Sequence, residues 1–172
     1  WVVTGRERHV AGAREDNLPY PQRALRTKDF LYLWNLRPDR WPAGDPELYH
    51  SVGPFGDVDL SPLKDLLVGG AARPDLAPYR TLALERRPLE ELYDLRNDPH
   101  QVRNVAADAS YAETRRELRD RVQRWMRETA DPRVDPAYDG WDLMPYFGPP
   151  ARTSEGAAQS KGAKAPRAAA PR

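Results

Sequence analysis

The stretch that decides the fold is Ser110–Glu128, SYAETRRELRDRVQRWMRE, because it has the clearest periodicity in the 172-residue chain. Ser110 and Glu113 have the spacing of a capping box, which predicts a helix from about Tyr111 to Glu128. Residues at helical spacing would form one face of this helix: Tyr111, Leu118, Val122, Trp125, Met126 and Thr129. A single apolar stripe is buried only against another layer, so the sequence must supply one.

Two segments upstream of this helix predict that layer. Gln22–Leu36, QRALRTKDFLYLWNL, contains two runs of strand-forming residues around the polar pair Lys28–Asp29, which indicates a β-hairpin. Glu91–Leu95, ELYDL, predicts a further strand and is followed by a turn at Asn97–Pro99. The expected fold class is therefore α+β, with a small antiparallel sheet packed by the long amphipathic helix.

Shorter elements are predicted from local signals. Trp1–Thr4 is an apolar run that ends at Gly5, and we interpret it as a short buried strand. Ser61 is a predicted N-cap, with Pro62 at the first helical position and Gly69–Gly70 as the stop. A second short helix is expected between residues 77 and 85. The segments 5–21 and 37–62 are rich in proline, glycine and polar residues and are predicted to be loops.

The composition excludes several classes of function. The chain has no cysteine, so disulfides and thiolate metal sites are excluded. Its net charge of +1 gives no basic field of the kind that binds nucleic acid, and no apolar run reaches the length of a membrane span, about 18 residues. Residues 149–172 contain five basic residues, one acidic residue and no aromatic residue, which predicts a disordered basic tail. The oligomeric state is not decided by the composition.

Most residues that could carry chemistry have simpler interpretations. His9, His50 and His100 do not pair at the spacing of a helical zinc site, and His50 and His100 are interpreted as surface residues. Asp16–Asn17 could offer oxygen ligands to a cation, but a loop turn is the favoured role. Asp57 and Asp59 flank a valine and could face one ion, and here solvation in a loop is favoured. No metal site is predicted in this chain.

The candidate binding residues are Arg6, Glu7, Arg8 and His9, which directly follow the first strand and its glycine. Ligands often lie beyond the carboxyl ends of strands in α/β sheets. Arginine offers a planar fork to sulfate, phosphate or carboxylate groups, and histidine can exchange a proton near neutral pH. Glutamate can orient either side chain or accept from a sugar hydroxyl. The alternative is a salt-bridged, solvated turn.

Two stretches resemble a known family. Thr4–Gly44, TGRERHVAGAREDNLPYPQRALRTKDFLYLWNLRPDRWPAG, resembles the late segment of sulfatases of the heparan N-sulfatase-like branch, in the alkaline-phosphatase superfamily. Glu90–Ala106, EELYDLRNDPHQVRNVA, together with the following helix, resembles the C-terminal subdomain of sulfatases generally. The resemblance extends from Val2 to about Pro132.

The resemblance implies a two-domain parent protein. Residues 1–21 would be the last strand and substrate-rim loop of a large catalytic α/β domain, and residues 22–148 would form the C-terminal subdomain. The family needs a formylglycine, made from Cys or Ser in a C/S-x-P-S-R motif, and a calcium-ligand set. This chain has neither, so both are expected in a missing N-terminal domain, and the chain is expected not to be catalytic alone.

The resemblance also implies a function. The chain would complete the fold and one wall of the substrate pocket of a hydrolase acting on sulfuric esters or sulfamates of sugars, of the N-sulfoglucosamine type. Arg6, Glu7, Arg8 and His9 would contact the sugar without performing the attack. The expected partners are the catalytic domain and a sulfated sugar, and family members are usually exported. The alternatives are a non-catalytic module that binds polyanions or glycans, and a fragment of a related phosphate or phosphonate ester hydrolase.

Overall fold

Four strands form one antiparallel sheet in chain order, and a long helix covers one face of it. The computed structural model describes residues 1–48 and 53–145, so the predicted tail at 149–172 and His50 lie outside the described residues. The strands and helices are β1 (Val2–Arg6), β2 (Gln22–Arg26), β3 (Phe30–Asn35), α1 (Pro62–Gly69), α2 (Ala77–Leu84), β4 (Glu90–Asp94) and α3 (Ala112–Glu128). The predicted α+β class, the hairpin and both short helices are confirmed.

The main core lies between the sheet and α3. Leu25, Tyr32 and Leu92 stand side by side across β2, β3 and β4, because the antiparallel register pairs Leu25 with Tyr32 and Tyr32 with Leu92. These three side chains are buried against the apolar stripe of α3, formed by Leu118, Val122 and Met126. Burying each such side chain contributes about 1.5–3 kcal/mol, so this layer contact stabilises the fold.

A smaller core lies beneath the loops and the short helices. It consists of Ala43, Phe55, Leu67 and Leu84, with Trp41 packed edge-to-face on Phe55. Ser61 caps α1 as predicted, since its Oγ accepts a hydrogen bond from the Lys64 backbone N–H at 3.1 Å. Leu63 and Leu66 on α1 and Leu60 just before it have exposed side chains, and we call these three residues the apolar row.

The prediction of a buried first strand at Trp1–Thr4 is wrong. β1 extends to Arg6 and is an edge strand of the small sheet, paired with β2 alone, and Val2 is 52% exposed. Side chains alternate along a strand, so only Val3 is directed to the core beneath α3. The strand thus has a neighbour within this chain, and the proposed domain boundary between residues 21 and 22 stays a prediction.

The predicted capping box at the start of α3 is also wrong. Asp108 accepts hydrogen bonds from both the backbone N–H and the hydroxyl of Ser110, at 2.9 and 2.7 Å. Ser110 is therefore held in a short 3-10 turn and does not cap the helix, which begins at Ala112 with no side-chain cap. Short polar side chains form such local bonds readily, and Asp108 outcompetes the capping box here.

In residues 1–48 and 53–145, no helix is long and apolar enough to cross a membrane.

Candidate functional site

Arg6, the last residue of β1, and Glu7, which follows it, have side chains that point to different parts of the structure. Arg6 is directed to Asp57 and to the backbone of Pro42, whereas Glu7 contacts Arg23 and Arg133. This divergence follows from the alternation of side chains along an extended chain. The four candidate residues therefore do not form one group, and two separate clusters begin here.

Asp57 is the centre of the first cluster. Its side chain is only 3% exposed, and three basic side chains surround it. Arg14 Nη2 donates to Asp57 Oδ2, Arg6 Nη2 donates to the same oxygen at 3.0 Å, and His9 Nδ1 lies 3.4 Å from Oδ1. We call these four residues the Asp57 cluster. The prediction that Asp57 is solvated in a loop is wrong.

The two arginines of the cluster have different surroundings. Arg14 is buried and also donates to the carbonyls of Trp41 and Pro42, at 2.7 and 2.8 Å. Burial lowers the pKa of Arg14, and the charge of Asp57 opposes that effect. Arg6, in contrast, has a side chain that is 38% exposed, and among the described residues it hydrogen-bonds only through Nη2, to Pro42 O at 2.5 Å and to Asp57. Arg14 therefore pairs with Asp57 in the interior, whereas the Arg6 guanidinium places its positive charge at the protein surface.

Three loop segments hold Asp57 in place through backbone hydrogen bonds. Asp45 N–H donates to Ala13 O at 2.7 Å, and Asp57 N–H donates to Ala43 O at 3.0 Å. Gly44 lies at the closest approach with a φ of +95°, where a Cβ would be 2.6 Å from Gly56 N and 2.8 Å from Ala13 O. Only glycine fits this position without strain, so the position of Asp57 depends on it.

The second cluster, which we call the Glu7 network, is a chain of alternating charges. Glu7 accepts hydrogen bonds from Arg23 Nη2 at 2.8 Å and from Arg133 Nη2 at 2.9 Å. Arg23 also donates to both carboxylate oxygens of Asp131, at 2.5 and 3.1 Å, and Arg133 donates to Asp142 at 2.6 Å. Every buried charge is thus paired and hydrogen-bonded, as buried ions require. The network fastens β1 and β2 to the segment that follows α3.

Arg8 and His9 complete the candidate set. Arg8 donates to the backbone carbonyls of Met144, Trp141 and Asp142, at 3.0, 3.3 and 3.4 Å. His9 is the most exposed of the four, with 65% of its side chain accessible. The structure therefore brings Arg6 and His9 together at Asp57 and places Glu7 and Arg8 against the segment that follows α3.

The remaining candidates have structural roles. Asn17 Oδ1 accepts a hydrogen bond from Gly12 N–H at 3.1 Å, and Asp16 and Asn17 both adopt positive φ in a 3-10 turn, as favoured from the sequence. His100 is exposed after the Asn97–Pro99 turn. Within residues 1–48 and 53–145, no group of three or more histidine, aspartate or glutamate side chains could hold a metal ion.

A cleft of about 570 Å³ adjoins the Asp57 cluster and shares Arg14 with it. Trp41 lies in its wall with the Arg86 guanidinium 4.9 Å from the ring centre, a cation–π contact. The ring also packs edge-to-face on Phe55, so Trp41 has contacts within the chain and is not an isolated stacking surface. Four carboxylates line the same cleft, from Glu15, Asp39, Asp45 and Glu47.

Comparison with known proteins places these clusters in context. No family model matches the chain. The chain is 31% identical over 134 residues to N-sulphoglucosamine sulphohydrolase from Homo sapiens, an alignment that covers 77% of this chain and 24% of that protein. It is 27% identical over 131 residues to an ulvan-active sulfatase from Formosa agariphila, covering 72% of this chain and 19% of that protein. The chain therefore spans about a quarter or less of the length of the curated relatives it matches.

Proposed function

We propose that this chain forms the C-terminal part of a hydrolase of sulfuric esters or sulfamates of sugars, because it is similar to sulfatases over about three quarters of its length. The resemblance expected from the two sequence stretches is confirmed by these relatives. The observation that carries the proposal is this similarity over 134 residues, together with a fold that consists of a small sheet and one covering helix.

The partner in this proposal is a large catalytic α/β domain. It would supply the formylglycine nucleophile and the calcium site, since the sequence has no C/S-x-P-S-R motif and residues 1–48 and 53–145 hold no group of three or more histidine, aspartate or glutamate side chains that could bind a metal ion. Two features support such a partner. The relatives are several times longer than the matched region, and the apolar row Leu60, Leu63 and Leu66 is exposed at the start of α1. Contiguous exposed apolar side chains commonly mark an interaction surface. We propose, again by similarity, that the complete protein is exported.

The substrate in this proposal is a sulfated sugar, of the N-sulfoglucosamine type. In this proposal Arg6, Glu7, Arg8 and His9 form the rim that meets the sugar, and their different contacts within the chain support two different roles. Arg6 and His9 expose cationic or protonatable groups to the substrate, whereas Glu7 and Arg8 hold the rim by their contacts with Arg133 and the 141–144 backbone. Binding and orientation of substrate by such groups raises the rate without any covalent step by them.

The test is kinetic and uses the complete enzyme that contains this chain. Arg6→Ala and His9→Ala should each lower kcat/KM for a sulfated glucosamine by about tenfold, because the first removes a charge-assisted contact with the substrate and the second removes a hydrogen-bonding partner. The exposed Arg116, on α3, is the matched control, and Arg116→Ala should leave kcat/KM unchanged. If both rim variants match the wild type, the rim assignment is wrong.

A second measurement tests the division of labour between the domains. The 172-residue chain alone should show no turnover of sulfated or N-sulfated glucosamine, since the nucleophile is placed in the other domain. Turnover by this chain would contradict the proposal. Hydrolysis of phosphate or phosphonate esters by the complete enzyme, in preference to sulfate esters, would favour the alternative hydrolase class.

A further inference from the structure

The Asp57 cluster carries more positive charge than its carboxylate can neutralise. Arg6 and Arg14 face one Asp57, so the cluster has a net charge of +1 when His9 is neutral and +2 when it is protonated. Arg14 is buried and bound to Asp57, Trp41 and Pro42, so the surplus is presented by the partly exposed Arg6. A surplus charge at the surface attracts anions.

The hydrogen-bonding capacity of the cluster is also incompletely used. Arg6 has five N–H donors in a planar fork, yet within the described part of the chain only Nη2 finds acceptors. Its Nε–H is buried and donates to no acceptor among the described residues, and the buried Asp57 Oδ1 accepts no hydrogen bond from them. His9 Nδ1 lies 3.4 Å from that oxygen. Polar groups are normally satisfied, so the unused N–H donors of Arg6 leave capacity for an acceptor from a further group, such as a sulfate oxygen.

We propose that Asp57 is a positioning residue that holds Arg6 and His9 together as a receptor for a sulfate group. The inference rests on the proposed function, and it adds a residue and a ligand chemistry to the rim. Asp57 binds Arg6 through Oδ2 and approaches His9 through Oδ1, so a single buried carboxylate orients both exposed side chains. A guanidinium and an imidazole that share one carboxylate can both offer N–H donors to the oxygens of a sulfate group.

The frame around Asp57 is rigid enough for this role. Its backbone N–H is bonded to Ala43 O, and Gly44 packs against Gly56 and Ala13 at close approach. Arg14 clamps the same carboxylate and is itself held by two backbone carbonyls. Side chains oriented by such surroundings bind a ligand with less loss of conformational entropy than free surface side chains.

The sulfate group could come from two sources, free inorganic sulfate or the sulfo group of a sugar. Isothermal titration of the full 172-residue chain with sodium sulfate and, separately, with N-sulfoglucosamine distinguishes them. Arg6→Gln should weaken binding of both by about tenfold, because a charge-assisted contact is lost. Arg116→Gln removes the same charge from an exposed position on α3 and should leave both affinities unchanged. If N-sulfoglucosamine binds with higher affinity than sulfate, the sugar is the source, and equal affinities indicate the free ion.

The Asp57→Asn variant distinguishes positioning from simple charge attraction, because the two predict opposite changes in the affinity for sulfate. The substitution raises the net charge of the cluster by one, so attraction alone predicts tighter sulfate binding. Positioning predicts the opposite, a loss of about fivefold or more, because Arg6 and His9 lose their common anchor. Tighter or unchanged binding by a folded Asp57→Asn variant overturns the inference, even if Arg6→Gln still weakens binding and so leaves the rim assignment intact.

A double-mutant cycle keeps the inference testable if Asp57→Asn does not fold. Arg6 and His9 are both exposed enough to be replaced by glutamine without disturbing the core. Side chains that share one anchor are coupled, so the double variant should lose less affinity than the product of the two single losses. Strictly multiplicative losses would show that Asp57 does not couple them. If neither single variant changes the affinity for sulfate or N-sulfoglucosamine, the rim assignment itself fails.

Discussion

Arg133 Nη2 lies 2.9 Å from Glu7 Oε2, and this contact joins the end of the first strand to the segment after the long helix, 126 residues later in the chain. The Arg133 side chain is 1% exposed and also donates to Asp142 and to the carbonyl of Tyr138, both at 2.6 Å. Burial acts to lower the pKa of Arg133, but its hydrogen bonds and ion pairs with Glu7 and Asp142 together outweigh burial and raise the pKa. The residue therefore stays charged and fully bonded inside the protein.

Removing Arg133 should destabilise the fold strongly. Arg133→Ala leaves Glu7 with Arg23 alone and Asp142 with Arg40 alone, and it empties a buried site at the centre of the network. Removing one partner from buried ion pairs costs about 3–5 kcal/mol. Urea denaturation would measure the change in the free energy of unfolding. Arg73→Ala is the matched control, since Arg73 pairs with Asp75 at an exposed position and its loss should leave stability unchanged. Equal effects from the two variants would show that the Glu7 network does not stabilise the fold.

Gly44→Ala should destabilise the loops that hold Asp57. The φ of +95° and the Cβ contacts at 2.6 and 2.8 Å impose both backbone strain and a steric clash. We expect a loss of about 2 kcal/mol or more in the free energy of unfolding. Gly69→Ala is the control, because a Cβ there meets nothing within 4 Å and the residue lies in α1. Gly69→Ala should be neutral or stabilising, since alanine favours helices.

The free energy of unfolding should fall at acid pH because of Asp94. Its carboxylate accepts hydrogen bonds from Arg96 at 2.7 and 2.8 Å and from Tyr111 OH at 3.0 Å, and these hold its pKa well below the usual range. A carboxyl whose pKa is lowered by folding stabilises the folded state above its unfolded pKa of about 4 and loses that contribution as the pH falls below it.

The measurement is a series of urea denaturations between pH 7 and pH 2. Asp94→Asn should lower stability at pH 7 and reduce the loss of stability on acidification. Asp39→Asn removes an exposed carboxyl and should leave the wild-type pH profile intact. An Asp94→Asn profile that parallels the wild type at acid pH would contradict the assignment.

The apolar row on α1 should make the 172-residue chain associate with itself when no partner domain is present. Leu63→Ser and Leu66→Ser replace exposed side chains and should shift the chain toward a monomer in analytical ultracentrifugation. Val102→Ser replaces a single exposed apolar residue elsewhere and should have no such effect. A wild-type chain that stays monomeric at high concentration would count against the proposed partner domain.

The elements that the sequence predicts correctly are those whose signal is local. The stripe Leu118, Val122 and Met126 has helical period within its own segment, and the hairpin turn at Lys28–Asp29 separates two strand patterns. Prediction fails where a distant or competing neighbour decides. The exposure of Val2 depends on where the sheet ends, and the role of Ser110 depends on Asp108.

The candidate site is predicted in part for the same reason. The sequence shows four consecutive ionisable residues, Arg6, Glu7, Arg8 and His9, but it does not show which residues they contact. Asp57 meets Arg14 across 43 residues, and Arg133 meets Glu7 across 126. Such pairings are set by the topology of the loops, and no periodicity in the sequence reports them.

The opposite destinations of Arg6 and Glu7 have a consequence for folding. A strand that slips by one residue exchanges its two faces. If β1 slipped by one position along β2, Glu7 would meet the buried carboxylate of Asp57, and an arginine would meet Arg23 and Arg133. Both encounters place like charges together out of water. Because β1 buries little apolar surface, we expect these charge pairings to favour the observed register over a slip of one residue.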